Sequence, residues 1–129
     1  MPLRTLLAVA LVALSPLACF AQERSPAERQ TLVQLAYVLG ESHALRQACV
    51  GAADQRWRNR MRGLEAAEQP DAPFDRRLQD SFNDGFLSGR ANFPHCTQKA
   101  RDEAARIASQ GQSLVEDLSS GVAQDVPTN

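Results

Sequence analysis

From Ser25 onward, apolar and polar positions alternate with helical spacing in four stretches separated by short polar or proline-bearing breaks. Ser25-Pro26-Ala27-Glu28 has a capping serine, a proline for the first turn and a glutamate at the capping-box position, which predicts a helix running to about Ala48. Leu32, Leu35, Ala36 and Leu39 form one apolar face of it, and Val33, Tyr37, Gly40 and Ala44 form a second. An arc that wide predicts a central helix, or one with a partner. Cys49-Val50-Gly51 ends it. Asp54 is the expected cap of a second helix reaching about Glu68, with Trp57, Met61 and Leu64 as its inward stripe. The prolines of Gln69–Pro73 mark a linker.

A third helix is expected from about Phe74. Phe74, Leu78, Phe82, Phe86 and Phe93 fall on one face, and Gly85 and Gly89 lie among them. Glycine weakens a helix, so these two read first as places where a neighbouring helix comes close. Asn83-Asp84-Gly85 could alternatively be a turn; the phenylalanine stride favours continuity. Pro94 ends the segment, and Thr97 is the expected cap of a fourth helix reaching about Leu118. Its stripe is Ala100, Ala104, Ile107, Ala108, Gly111, Leu114, Val115 and Leu118. Residues 119–129 hold too little apolar content to pack and read as a fraying tail. With no internal repeat and no convincing strand, the chain is predicted to be all-α: a small antiparallel bundle of about four helices.

The segment before Ser25 has a different logic. Arg4 precedes an apolar run from Leu6 to Leu14, Pro16 breaks it, and small residues lead to polar sequence at Gln22. That is the layout of a secretory signal peptide, shorter than a membrane span. Cleavage after Ala21 is the favoured reading. It divides the chain into a signal peptide (1–21), one helical domain (22–118) and a tail (119–129). The competing reading makes Cys19 a lipid anchor, but Pro16, Leu17 and Phe20 fit a lipidation motif poorly. The expected address is the periplasm, with tethering at a membrane face as the lesser reading.

Loss of that segment removes Arg4 and no acid, taking the formal charge from −1 to −2. This is no electrostatic footprint for nucleic acid. It also leaves Cys49 and Cys96 as the only cysteines, which in an exported chain read as a disulfide. Closing a loop of that length contributes roughly 4 kcal/mol in the chain-entropy account. There is no C-x-x-C and no haem attachment sequence, and the spacing of His43, Cys49, His95 and Cys96 does not resemble a structural zinc site. No metal and no cofactor are expected.

The order LAYVLGESHALRQAC, then WRNRM, then FNDGF, then a second cysteine resembles an uncharacterised family of small exported two-cysteine helical proteins of proteobacteria, over roughly residues 30–118. The resemblance implies export, the two-cysteine layout and a helical fold. It carries no activity and no catalytic residue.

Two constellations remain. His43 and Gln47 continue the face begun by Leu32, Ala36 and Leu39, with Arg46 on the flank, so the first helix turns polar near the disulfide. The plainer reading is that these groups satisfy loop carbonyls; the functional one is a small ligand pocket of His43, Arg46, Gln47 and His95. Arg56, Arg58, Arg60 and Arg62 flank the Trp57–Met61 stripe. They read either as a solvated face, with Asp54 pairing Arg58 and Glu65 near Arg62, or as a dock for anionic envelope material. Glu41, Glu65, Glu68, Asp80 and Asp84 could serve as acids or bases, but the sequence places no two of them in one cleft and shows no nucleophile elbow. The expectation is therefore a non-enzymatic binding or interaction module of the cell envelope. Its partner would be an envelope protein, an anionic component or a second copy of the chain. The alternatives are a small-ligand or stress-sensing protein using the His43/Arg46/His95 end and, third, an envelope protein anchored through Cys19.

Overall fold

The structure, a computed structural model, describes residues 23–124. The expected signal peptide, Cys19 and the last five residues lie outside that range. Four helices are present: α1 (Pro26–Val50), α2 (Arg56–Glu68), α3 (Ala72–Asn92) and α4 (Gln98–Gln124). The caps follow the local sequence. Ser25 accepts from the Glu28 N–H, and the Glu28 carboxylate accepts from the Ser25 N–H, a reciprocal capping box. Asp71 caps α3 by accepting from the Phe74 N–H, so α3 begins two residues before Phe74. Thr97 accepts from the Ala100 N–H at the start of α4. α2 is entered from Gln55 without a side-chain cap. Asp54 instead accepts from the Arg56 N–H and pairs with Arg46. α3 runs unbroken through Asn83-Asp84-Gly85, and α4 continues six residues past Leu118.

The helices are arranged around α1. Ten of the fourteen residues from Leu32 to Leu45 are buried, and they occupy nearly every direction around the axis. Among the described residues, each extensive helix pairing involves α1, most extensively with α3, then α4, then α2. The wide apolar arc is thus accounted for as a central helix sheathed on three sides.

The alternation of directions is that of an up-down-up-down chain, but the closest pair is the parallel one. Arg77 reaches Gln30, Ser81 donates to the Val33 carbonyl at 2.7 Å, Gly85 lies on Tyr37, and Gly89 lies on Glu41 and Ala44. Both partners use small residues at four-residue spacing: Ala36, Gly40 and Ala44 on α1, and Ser81, Gly85 and Gly89 on α3. A Cβ on Gly40 would overlap the Phe82 carbonyl, and one on Gly85 would overlap that of Tyr37. The expectation that these glycines admit a close neighbour holds, and the neighbour is α1.

α4 runs antiparallel to α1, with Gly121 on Glu28, Gly111 on Val38 and the disulfide Cys49–Cys96 at the far end. α2 is also antiparallel: Asp54 holds Arg46 at one end, and Glu68 takes both Nε and Nη2 of Arg24 at the other. Arg24 additionally pairs with Glu28 and donates to the Leu118 carbonyl, so one guanidinium ties the start of α1 to both antiparallel neighbours.

Candidate functional site

Val50 to Asp54 make the tight α1–α2 turn, with Gly51 at φ 140°. Gln47, in the last turn of α1, reaches back into it. Its amide donates to the Ala52 carbonyl at 2.9 Å and to the Asp54 carbonyl at 3.2 Å, and it lies 3.2 Å from His43 Nε2. An amide nitrogen only donates, and its two hydrogens are shared among the two carbonyls and His43 Nε2, which leaves Nδ1 as the ring's other nitrogen. That Nδ1 is buried without a partner. The ring itself is 1% exposed and lies tilted beside Phe82 and Phe86, centroids 5.8 and 5.2 Å away. Burial, and then the Arg58 charge, push its pKa down; Asp54 opposes them. His43 is a neutral core histidine, reached by Gln47 from the loop side.

Arg46 donates from Nε to Asp54 at 2.9 Å. Partial burial pushes the Asp54 carboxyl up, but the Arg56 N–H and the Arg46 guanidinium outweigh it and hold the pKa below its usual value. His95 is exposed on the α3–α4 loop. A cavity of about 280 Å³ lies under the two loops at this end, lined by Gln47, Ala44, Arg90 and Phe93 among others; neither His43 nor His95 lines it. The structure therefore brings His43 to Gln47, and Arg46 to Asp54, while His95 stands apart on the surface. Cys49 and Cys96 are joined with Cα atoms 4.7 Å apart, and both residues are exposed.

α2 contributes only Met61 to the buried core. Arg56, Arg60 and Arg62 are exposed and Arg58 is half-buried. Arg58 lies over the Phe82 ring at 5.1 Å and Arg60 over Trp57 at 4.8 Å. Asp54 pairs with Arg46 rather than Arg58, and Arg62 donates to Asn59. Among the described residues, none of these four guanidiniums has a carboxylate within ion-pair distance. The expected Asp54–Arg58 pair does not form because Arg46 of α1 holds Asp54, and Arg62 turns to Asn59 rather than Glu65.

Of the acids, Glu68 is engaged by Arg24, and Asp80 and Asp84 are exposed. Burial raises the Glu41 pKa, with Arg106 opposing. Among the described residues no three His, Cys, Asp or Glu side chains cluster as a metal site, and no helix is long and apolar enough to cross a membrane.

A second concavity was not legible as a motif. Between α2 and α4, over α1, lie two adjoining cavities of about 510 and 260 Å³ that share Ser42 and Trp57. The sequence signal was present but faint: Ala108 and Val115 belong to the α4 stripe, yet both remain exposed in the structure.

The family described as "Protein of unknown function (DUF2385)" matches residues 26–121, and the chain belongs to that family. No curated protein and no solved structure matches the chain.

Proposed function

We propose that this family member is an exported, non-enzymatic binding module of the cell envelope, with α2 as its contact helix for anionic envelope material. One observation carries the reading. Four guanidiniums project from the helix that contributes least to the core, and among the described residues none is neutralised by a carboxylate. Arginine is suited to phosphate and carboxylate groups because its planar fork can donate two hydrogen bonds at once. Export is supported by the signal-like segment before Gln22 and by a surface-exposed disulfide, a bond that persists in oxidising compartments.

The test is retention on phosphatidylglycerol vesicles against phosphatidylcholine vesicles. Retention on the anionic ones at low salt, release at high salt, and loss in the double variant Arg56→Glu/Arg62→Glu are the expected results. Equal behaviour of wild type on both vesicles sinks the reading. Address is tested separately by the intact mass of the protein from its native envelope. A start at Gln22, with a gain of two hydrogens on reduction, supports a periplasmic address. An acylated start at Cys19 supports tethering instead, and a start at Met1 removes export.

A second reading, small-ligand sensing at the disulfide end, draws on the cavity beside Gln47 and Arg90. It expects a thermal shift with inorganic phosphate that Arg90→Ala abolishes.

A further inference from the structure

α3 seals one side of α1, but α2 and α4 do not close over the other. The two cavities that share Ser42 and Trp57 form one groove there, running from Cys49 and Arg101 to Leu35 and Val115. Its extent along α1, fourteen residue rises from Leu35 to Cys49, is about 21 Å. Leu35, Val38, Leu39, Leu45 and Ile107 line its floor, and Trp57 stands as a wall. Most of the lining along that length is apolar, and its charged side chains, Arg46, Arg60, Arg101 and Glu116, stand at the margins.

Its charges are unequal at the two ends. At the disulfide end, Arg46 is engaged by Asp54, whereas among the described residues Arg101 donates to uncharged acceptors, Cys96 Sγ at 3.5 Å and the Gln98 side-chain carbonyl oxygen at 3.4 Å. Among the described residues, no carboxylate lies within ion-pair distance of Arg101. At the other end stands the carboxylate of Glu116. Arg60 lies at the rim between them, over the Trp57 ring.

We infer that this groove binds a single-chain anionic amphiphile, an alkyl chain ending in a carboxylate or phosphate. The chain lies on the apolar floor and the head meets Arg101 beside the disulfide. Charge sets the direction, because Glu116 repels an anionic head from the opposite end. The exposed Ala108 and Val115 are the apolar α4 positions such a chain would cover. The inference deepens the binding-module reading and rests on it only for where the ligand would come from.

Trp57 is the single tryptophan of the chain and lines both parts of the groove, so its emission reports occupancy directly. The disulfide-bonded protein is titrated with palmitate, octanoate and methyl palmitate, each below its aggregation concentration. The expected result is a saturable blue shift with palmitate, at least about tenfold tighter than with octanoate. Arg101→Glu and the milder Arg101→Gln should weaken palmitate about tenfold or more for the reversal and leave the methyl ester unchanged. Ala108→Phe, which fills the groove from an exposed position, should weaken every ligand. The absence of a saturable palmitate shift in the wild type overturns the inference. So does full palmitate affinity in Ala108→Phe, or equal weakening of acid and ester by both Arg101 variants. Vesicle retention through Arg56 and Arg62 is read in a separate assay. Its survival with no palmitate binding removes the groove and keeps the function. Palmitate binding without vesicle retention does the reverse.

Discussion

The two sides of α1 solve the same packing problem in opposite ways. Toward α3, side chains are stripped away until backbone meets backbone: Gly40 and Gly85 leave no room for a single added carbon. Toward α2 and α4, α1 presents ordinary leucines and valines, and the neighbouring helices stand far enough apart to leave a groove. The first arrangement is held by dense contact along its length, with Ser81 on the Val33 carbonyl and Arg77 on Gln30 adding to it. The second is held at its edges, by Cys49–Cys96 and Arg46–Asp54 at one end and by Arg24 at the other. A close-packed seam tolerates little change, whereas a side pinned at its ends can vary between the pins. Recognition surfaces are therefore expected on the α2/α4 side.

That contrast can be broken most severely at the covalent pin. Cys49→Ser with Cys96→Ser should cost roughly 4 kcal/mol in urea unfolding. Amide exchange should then rise more in α4 than in α3, because α3 keeps its glycine seam; equal loosening of both helices would abolish the distinction. Gly40→Ala attacks the seam itself and should cost about 3 kcal/mol, at the upper end of overpacking effects. Gly63→Ala is its control. The glycine lies in α2 with open space around it, so the change should stabilise by about 0.5–1 kcal/mol.

His43 tests the boundary between the two sides. Burial disfavours its charged form in the folded chain, whereas the unfolded chain takes up a proton near the ordinary value of 6.5. Stability should therefore be fully present above pH 6.5 and decline as pH falls below it, by at most about 1.4 kcal/mol per unit from this group, levelling once the folded histidine protonates. His43→Gln should flatten that part of the thermal stability profile, and an unchanged slope would contradict the burial account. The smallest effect is expected at Arg24→Ala. The guanidinium is partly exposed, so about 1 kcal/mol is the appropriate scale, with fraying at the α2 C-terminus.

Local signals in the chain were sufficient for the helices. Ser25 with Glu28, Thr97, the phenylalanine stride through Gly85 and the pairing of Cys49 with Cys96 each state their outcome within a few residues or by elimination. What failed to show was who packs on whom. An apolar stripe records that a face is covered, not by which helix, so the parallel α1–α3 contact as the closest pair could not be read from spacing. Asp54 illustrates the same limit: four residues before Arg58 in sequence, it is claimed by Arg46 because α1 returns beside it. The groove was hidden for a related reason. It is made by a gap between α2 and α4, and a gap has no residue of its own. The polar end of α1 was visible as a cluster, yet only contact geometry separates His43, packed against phenylalanines, from His95 in solvent.

The cross-link has a consequence for how the molecule responds to a protease. The covalent ring from Cys49 to Cys96 contains the whole of α2 and α3, with α1 and α4 leaving it side by side. A single cut at Gln69–Asp71, the short bridge between those enclosed helices, opens the ring without releasing a fragment. The nicked chain would keep its mass apart from one added water, and every helix would remain tethered. Only reduction would reveal two pieces on a gel.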